Sequence, residues 1–522
     1  MALFGGAARP GSRGGNPRVM RARWLWVTAL FACGAEVEAT DKHVEEKLAV
    51  VLPRPPGDLA PSHLRVLGAI EEDLSDVERC APCHADVVAQ WRSSAHARAS
   101  FGNPWYRATI DAFREERGFE ASRFCAGCHD LALLVDGAMD EAIDPADRRA
   151  HVGVTCLVCH SMQERYADGN GSFALRIAPA PLPDPNSAAQ VAAHRERMNP
   201  PGLRTSGQCG GCHRSFLGGE MGNPHHLPGI DDIGAWRSSA FAESNARQID
   251  EVEPATCQQC HMSQEEALRD FAATEGRVAS HRVRGAHTPL REDHALRDAV
   301  TIDIAAAHVE GEWILPAEDA TPRGSEMAVD LVIRNVGAGH RFPGGTRDLQ
   351  YTYVDIEVRD ARGRVLGRIT GDDAFRFRAA LVNEEGAIEE THFVDRFRAA
   401  AFDRTRAPRD AIVLRAITAL PRRLALPLTV HAAVRHQRHP PAMRELACEA
   451  TRSARGEAFA RASAALGRTP LDGCAPEPVT TVAETTRVMG AVNAGAVNAG
   501  AVNAGAVNAG AVNAGAVNAG AV

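Results

Sequence analysis

A short motif, Cys-x-x-Cys-His, occurs five times between residues 80 and 261 and constrains this chain more than any other feature of its sequence. The five copies use two cysteines each, so they hold 10 of the 13 cysteines. In chain order the first to fifth motifs are Cys80-Ala-Pro-Cys83-His84, Cys125-Ala-Gly-Cys128-His129, Cys156-Leu-Val-Cys159-His160, Cys209-Gly-Gly-Cys212-His213 and Cys257-Gln-Gln-Cys260-His261. Cysteines three positions apart usually serve metal or redox chemistry rather than disulfide bonds.

The spacing within each motif is typical of covalently attached haem. Two sulfurs three positions apart reach the two vinyl groups on one porphyrin edge and form thioether bonds, and the following histidine supplies an axial nitrogen to the iron. Zinc is the main alternative, but zinc does not require a histidine directly after every second cysteine. We therefore predict five haem c groups, bonded to all ten motif cysteines. The predicted proximal iron ligands are His84, His129, His160, His213 and His261.

The composition agrees with this prediction. Only 5% of the residues are aromatic, and each porphyrin would supply the flat apolar surface that aromatic side chains otherwise provide. We expect residues 76–300 to form a pentahaem domain of short helices and loops with few strands. The formal net charge of −8 argues against a nucleic-acid partner.

The far side of each iron decides what a haem can do, because a second histidine closes the site for electron transfer and an open position admits a substrate. Six histidines outside the motifs are candidate distal ligands, and each has the alternative of being a solvated surface residue. They are His96, His151, His194, His281, His287 and His340. We expect one of the neighbouring residues His281 and His287 to bind, and the sequence does not decide between them.

A repeated heptad singles out His96. The residues Trp-Arg-Ser-Ser-Ala-His-Ala at 91–97 recur as Trp-Arg-Ser-Ser-Ala-Phe-Ala at 236–242. The two copies differ only where Phe241 replaces His96. This pattern indicates a duplicated element in which the first copy alone can bind iron.

After about residue 300 the pattern changes to an alternation of apolar and polar residues, as around Leu331. Period-two runs separated by turn residues predict an antiparallel β-sandwich-like domain over residues 301–450. The expected fold class is therefore α+β, with a mostly helical or irregular multihaem domain followed by this β domain.

Two further features of the second half carry predictions. A loop rich in glycine and proline presents His340, which we expect to bind an iron and so join the two domains, the alternative being a polar hairpin tip. The cysteines left outside the motifs in this half, Cys448 and Cys474, predict a disulfide bond in an oxidising compartment.

The N-terminal end of the chain predicts export. The first 33 residues combine a positive region with an apolar run too short for a membrane span, as in an export signal. Leu30-Phe31-Ala32-Cys33 resembles the lipobox of bacterial lipoproteins, so we expect Cys33 to be acylated and to hold the protein at a membrane surface. The alternative is a secretory signal cleaved nearby. We predict no transmembrane helix in the rest of the chain.

The remaining segments are predicted to lie outside the two domains. Residues 34–75 are expected to form a linker and residues 451–489 a C-terminal extension. Residues 490–522 repeat the sequence Gly-Ala-Val-Asn-Ala, which favours a disordered tail over a stacked solenoid because alanine offers little bulk to bury.

Taken together, these motifs resemble the multihaem cytochrome group that includes cytochrome c-554-like proteins. The resemblance spans about residues 76–440 and is carried by CHADVVAQWRSSAHA, FCAGCHDLALL, VGVTCLVCHSM, NPPGLRTSGQCGGCH and GAGHRFPGG. It implies closely packed haems, mostly with two axial histidines, that pass electrons along a chain. This sequence departs from the group at Gly344-Gly345, where Thr-Gly is common.

Three functions agree with these features. The favoured one is an electron carrier without catalytic residues, periplasmic or anchored to the outer membrane of a bacterium, with other redox proteins as partners. The second is a haem-dependent reductase or oxidase of a nitrogen or sulfur oxyanion with one open coordination position. The third is a docking subunit of an outer-surface redox complex. The chain has no Cys-x-x-Cys-Lys motif, which disfavours one type of nitrite reductase.

Overall fold

Short helices at and between the Cys-x-x-Cys-His motifs dominate the first half of the computed structural model. The structure describes residues 59–490 except 167, 180, 224, 243–251, 287–298, 311 and 316–323. The predicted export signal, the lipidation candidate Cys33, the candidate ligand His287 and the repeats beyond residue 490 lie outside the described residues.

The described part of the motif region contains nine α-helices of 4 to 14 residues. They are α1 (Ala85–Arg92), α2 (Pro104–Arg117), α3 (Arg123–Ala126), α4 (Leu131–Val135), α5 (Cys156–His160), α6 (Ala188–Met198), α7 (Gly207–Gly210), α8 (Asp232–Arg237) and α9 (Cys257–His261). Helices α5 and α9 consist of whole motifs, so their two cysteines, three positions apart, lie on one helix face.

Helix α2 illustrates how the sequence begins and ends a helix between two motifs. The side chain of Asn103 accepts hydrogen bonds from the backbone N–H groups of Trp105 (3.0 Å) and Tyr106 (3.4 Å), and Pro104 occupies the first turn. Gly118, with φ 85°, ends the helix in a conformation that glycine adopts without strain. The helix buries Ile110 and other apolar residues against the motif region.

Seven short strands lie among these helices. They are β1 (Arg65–Val66), β2 (Met162–Arg165), β3 (Phe173–Leu175), β4 (Arg214–Leu217), β5 (Leu227–Asp231), β6 (Gln264–Glu266) and β7 (Arg277–Ala279). They form a small sheet in the order β1-β3-β2 and the two-stranded sheets β4-β5 and β6-β7. Seven strands are more than the few that we expect for this region, although each has only two to five residues.

Residues 59–75, which we predict as part of a linker, belong instead to the folded region. Strand β1 pairs in parallel with β3. Leu64 and Leu74 are 2% and 3% exposed in the apolar cluster of the motif region. The burial of these apolar side chains holds the segment to the folded region. The predicted boundary of the linker at residue 75 is therefore wrong, because residues 59–75 belong to the fold.

The second half is built from longer antiparallel strands. They are β8 (Val300–Val309), β9 (Glu312–Leu315), β10 (Glu326–Asn335), β11 (Tyr351–Arg359), β12 (Val365–Ile369), β13 (Arg376–Phe377), β14 (Ala379–Val382), β15 (Ala399–Asp403), β16 (Ala411–Ala419), β17 (Leu428–Gln437) and β18 (Thr480–Met489). One sheet has the order β16-β10-β8-β9 and the other β12-β11-β17-β18, with β13 beside β11 and β14 paired with β15.

The two larger sheets share one apolar core. Val329 and Ile333 of the first sheet are 1% and 0% exposed, and they belong to the same buried cluster as Val354 and Val430 of the second. The alternation seen in the sequence thus places apolar side chains between the sheets, as expected for strands with one buried face. The predicted antiparallel strands around Leu331 are confirmed.

The C-terminal part of the described chain connects both halves. Helices α10 (Pro441–Arg452) and α11 (Ala454–Ala465) follow β17, and α10 packs against α2. The Arg455 guanidinium donates to the Asp111 carboxylate (Nε to Oδ2, 2.9 Å). The predicted disulfide between Cys448 and Cys474 is confirmed. Strand β18 pairs with β17, so the predicted C-terminal extension contributes a strand to the second sheet.

Across the described residues, no helix combines the length and the apolar character that a bilayer crossing requires.

Candidate functional site

The histidine of every motif has its Nδ1 atom held by an oxygen of the protein. The partners are Asp270 Oδ1 for His84 (2.9 Å), Ala99 O for His129 (2.8 Å), Met198 O for His160 (2.5 Å), Asp232 Oδ2 for His213 (3.3 Å) and Arg284 O for His261 (2.6 Å). When Nδ1 donates its proton in this way, Nε2 carries the free lone pair. Such contacts fix the ring orientation of metal-binding histidines, so all five rings are prepared to bind through Nε2.

Four of these five rings face a second histidine ring. The pairs, with their centroid separations and interplanar angles, are His84 and His194 (6.3 Å, 13°), His160 and His281 (6.4 Å, 11°), His213 and His96 (6.4 Å, 70°), and His261 and His340 (6.1 Å, 16°). In the first, third, fourth and fifth motifs the motif histidine therefore lies opposite a second histidine, with near-parallel ring planes in all but the fourth.

The separation within each pair tests whether the residues fit a shared metal. With a metal–nitrogen bond of about 2 Å on each side, two imidazoles on opposite sides of one ion have ring centroids roughly 6 Å apart. All four pairs meet this requirement, with separations of 6.1 to 6.4 Å. The described residues contain no cluster of three or more His, Cys, Asp and Glu side chains that could hold a metal ion on their own. Two facing histidines suit a metal whose other ligands come from a porphyrin.

Two of the candidate distal histidines, His96 and His281, are held in their uncharged form. Burial, followed by the neighbouring His213 ring, lowers the pKa of His96 to about 4. Burial and the His160 ring lower the pKa of His281 to about 4. Neutral imidazole is the form that binds metals, so both rings are ready to act as ligands near neutral pH.

The second motif differs from the other four. Among the ring contacts of the described residues, His129 stacks face to face on Tyr106 at a centroid distance of 4.4 Å and an angle of 8°, and no second histidine ring faces it. A cavity of about 150 Å³ lies beside Cys125, Cys128 and His129. Its wall combines apolar side chains such as Ile110 with polar groups, and a porphyrin attached to Cys125 and Cys128 would enter this space.

Four of the six candidate distal histidines face a motif histidine. They are His96, His194, His281 and His340. The expectation for His151 is wrong, because both its ring nitrogens are engaged: Nδ1 with Ser463 Oγ (2.8 Å) and Nε2 with Pro145 O (2.8 Å). A histidine that sequence reasoning missed, His392, lines the cavity of the second motif.

The motifs contact one another through their cysteines. Neighbouring thiols, each of which shifts the pKa of the other, join the first motif to the third, the second to the fourth and the fourth to the fifth. The thiol pairs are Cys80 with Cys156, Cys128 with Cys212, and Cys209 with Cys257. The third and fourth motifs are also linked, because Gln208 donates to Cys159 O at 3.0 Å. The five sites thus form a connected set in which the fourth touches three others.

The two copies of the repeated heptad occupy equivalent places. Trp91 donates from Nε1 to Val154 O and Trp236 to Ala255 O, each at 2.8 Å. Each acceptor lies two residues before a motif, the third and the fifth respectively. The copies differ at their sixth position, where His96 faces His213 and Phe241 packs beside Gly339 in the loop of His340.

The loop of His340 is tied to the fourth motif through one carboxylate. Asp232 accepts from His213 Nδ1 (3.3 Å) and from the backbone N–H of Gly345 (3.0 Å). Asn335 donates to His340 O at 2.9 Å and so braces the loop from strand β10. The second half of the chain therefore presents His340 to the fifth motif from a loop fixed at both ends.

Comparison with known proteins agrees with this architecture. The family model described as cytochrome c554 and c-prime matches residues 79–161, which hold the first three motifs. The crystal structure of a penta-heme cytochrome c552 from Thermochromatium tepidum superposes with a TM-score of 0.51 at 18% identity, covering 80% of this chain and all of that one. At this identity the likeness concerns the fold. No curated protein sequence matches the chain.

Proposed function

Because this chain is a multihaem c-type cytochrome, we propose that it carries electrons between other redox proteins through five covalently attached haems. The observation that carries the proposal is the facing of four motif histidines by a second histidine at 6.1 to 6.4 Å. Two axial histidines close an iron to substrates and suit it to electron transfer.

The cysteines and histidines of the chain have different roles in holding the haems. The ten motif cysteines would form the thioether bonds, and the five motif histidines would bind the irons on the proximal side. On the distal side we assign His194 to the first motif, His281 to the third, His96 to the fourth and His340 to the fifth. Each iron would store one electron when it changes from the ferric to the ferrous state.

The contacts between motifs support a carrier. Cysteine contacts and the Gln208 hydrogen bond join neighbouring sites without intervening side-chain layers. An electron that enters at the first site would therefore meet the third, then the fourth, and there reach a branch toward the second or the fifth. The fourth site, bounded by Cys209 and His213, is the junction of this set.

The chemistry of attachment also supports an extracytoplasmic location, because c-type haem is attached outside the bacterial cytoplasm. We propose that the chain is exported and anchored by a lipid on Cys33 in the periplasm or at the outer membrane. A mass measurement of the mature N-terminus tests this proposal, which predicts an acylated cysteine and is contradicted by any other first residue.

The central experiment counts the haems and reads their spin states. Purified protein should carry the mass of five haems beyond its polypeptide, and reductive titration should convert all of them from ferric to ferrous. Replacing Cys257 and Cys260 by serine should remove one haem from the mass. The matched control, serine at Cys448 and Cys474, removes a disulfide instead and should leave the haem count unchanged. An unchanged mass in the first variant would refute attachment at the fifth motif.

A second candidate function rests on the second motif alone. Among the ring contacts of the described residues, His129 stacks on Tyr106 and faces no second histidine, and His392 lines the same cavity of about 150 Å³. An iron that kept one free position there would bind small ligands, as in a reductase or oxidase. A high-spin ferric signal from roughly one fifth of the haem, together with cyanide binding, supports this candidate, and a fully low-spin resting protein excludes it.

A further inference from the structure

The five motif histidines differ in the charge of the group that holds Nδ1. His84 donates to the carboxylate of Asp270, and His213 donates to the carboxylate of Asp232. The other three donate to neutral backbone carbonyls, which belong to Ala99, Met198 and Arg284. The chain therefore has two classes of motif histidine, although the Cys-x-x-Cys-His spacing is the same in all five motifs.

The carboxylate contact at the first motif is short and shielded from solvent. His84 Nδ1 lies 2.9 Å from Asp270 Oδ1, and the Asp270 side chain is 0% exposed. Two backbone N–H groups also donate to this carboxylate, from Ala272 to Oδ1 at 2.9 Å and from Val87 to Oδ2 at 3.4 Å. These donors fix the carboxylate in place, so its charge acts on His84 with little screening by water.

The loop that carries Asp270 comes from a distant part of the chain. It joins strands β6 and β7, which pair with each other after the fifth motif. Asp270 is 186 positions from His84 in the sequence. The next residue, Phe271, donates its backbone N–H to Cys83 O at 3.1 Å. The fold therefore attaches this loop to the first motif through a backbone contact as well as through the carboxylate.

The corresponding contact at the fourth motif is longer and more exposed. His213 Nδ1 lies 3.3 Å from Asp232 Oδ2, and the two side chains are 47% and 16% exposed. Because solvent screens a charge at such a position more strongly, Asp232 should affect its histidine less than Asp270 affects His84.

The charge of the acceptor changes what the histidine offers to an iron. A histidine whose N–H donates to a carboxylate is a more basic ligand at its other nitrogen. Ferric iron carries one more positive charge than ferrous iron, so a more basic ligand and a nearby negative charge both stabilise the ferric state. Both effects lower the reduction potential, whereas a neutral carbonyl brings no net charge to the site.

We propose that Asp270, acting through His84, lowers the reduction potential of the haem at the first motif, and that Asp232 has the same but weaker effect at the fourth. This inference rests on haem attachment as proposed above. The first motif touches the third, whose His160 donates to a neutral carbonyl. The Asp270 carboxylate therefore favours transfer from the first site to the third. In this transfer one electron leaves the first site and reduces the third, and the Nδ1 proton stays between His84 and Asp270.

The test removes the charge of Asp270 and keeps its shape. Asp270→Asn places a neutral amide of the same size in the loop, and the amide oxygen can still accept from His84. The matched control is Asp86→Asn, which removes an equal charge from the first turn of helix α1, where Asp86 is partly exposed and has no hydrogen bond or ion pair with His84 in the described chain. Mass and EPR first establish that each variant keeps five haems in their wild-type spin states. A potentiometric titration followed by visible absorbance then resolves the one-electron steps.

The expected result is that one step in Asp270→Asn moves to a more positive potential while the others stay. The equilibrium constant for that reduction should rise about 5- to 30-fold, which is about 40 to 90 mV at about 59 mV per tenfold change for one electron. Asp86→Asn should change it less than about 3-fold, because solvent screens its carboxylate. Asp232→Asn should move a different step in the same direction by a smaller factor.

Two results would overturn the proposal: an unchanged set of steps in Asp270→Asn, or equal shifts in Asp270→Asn and Asp86→Asn. If Asp270→Asn loses a haem or changes its spin state, Asp232→Asn decides, and an unmoved step there also overturns the proposal. A wild-type mass without a haem at Cys80 and Cys83 would instead contradict attachment at the first motif. The mass measurement separates that failure of the proposed function from an unchanged potential.

Discussion

The imidazole ring of His340 lies 6.1 Å from that of His261, centroid to centroid, and is inclined to it by 16°. His261 belongs to the fifth motif, whereas His340 is in a loop that follows strand β10 of the second half. One metal between these rings would bind both halves of the chain together. The β-rich half is then part of the electron-carrying site rather than an appended domain.

Replacing His340 by alanine should open the fifth site. We expect roughly one fifth of the haem to change from low to high spin and to bind cyanide, because the iron loses one of two axial nitrogens. EPR and visible spectroscopy measure this change. His431→Ala serves as the control, and a variant spectrum identical to wild type would show that His340 is not a ligand.

A substitution taken from the repeated heptad tests the fourth site. His96→Phe copies the residue of the second heptad, Phe241, and removes the ring that faces His213. We expect one haem to become high spin while the haem count stays the same. The reverse change, Phe241→His, should leave the spin states as they are, since Phe241 lies beside Gly339 rather than opposite a motif histidine. Unaltered spectra in His96→Phe would contradict the assignment.

The disulfide between Cys448 and Cys474 should stabilise the C-terminal part of the fold. It closes a loop between residues 26 positions apart, and the chain-entropy relation gives about 3 to 4 kcal/mol for a loop of this length. Serine at both positions should therefore lower the free energy of unfolding by about this amount in a denaturant titration followed by circular dichroism. A loss below about 1 kcal/mol would mean that the conformational entropies of the oxidised and reduced unfolded chains differ little.

Stability should depend on pH through His436. Burial lowers the pKa of His436 to about 4, whereas an unfolded histidine titrates near 6.5. Between these values the unfolded chain binds more protons than the folded one, so the folded state loses stability as pH falls, by roughly 3 kcal/mol in total. In His436→Gln this loss should be absent.

The measurement compares denaturant unfolding of wild type and His436→Gln at several pH values. The stability difference between them should shrink as the pH falls from about 7 to about 4. His431→Gln on the same strand is the matched control, because its ring is partly exposed and bonds to Thr486. A difference that is constant with pH would show that His436 titrates alike in both states.

The motif histidines could be singled out because the Cys-x-x-Cys-His spacing lies within five consecutive residues. Distal partners come from distant parts of the chain, so spacing could only nominate them. His151 illustrates the limit: its Nδ1 is taken by Ser463, 312 positions away on helix α11. His392 carries no sequence signal of its own, since its position depends on Asp348 and on a cavity that forms only in the folded chain.

The alternating strands could be predicted because burial of one sheet face imposes a period of two on the sequence. The linker could not, since residues 59–75 are held to the fold by the burial of Leu64 and Leu74 and by the pairing of β1 with β3, which depend on distant parts of the chain. The buried leucines are few, and the proline and charged residues near them are typical of a linker.

The ring planes of His96 and His213 cross at 70°, whereas the other three facing pairs lie within 16° of parallel. Crossed axial imidazoles leave two iron d orbitals nearly equal in energy, and parallel ones split them, so the low-spin ferric resonances of the two geometries fall at different magnetic fields. The fourth site would thus have a low-spin ferric resonance that differs from those of the other three paired sites. Its oxidation state could be followed separately while electrons redistribute among its neighbours.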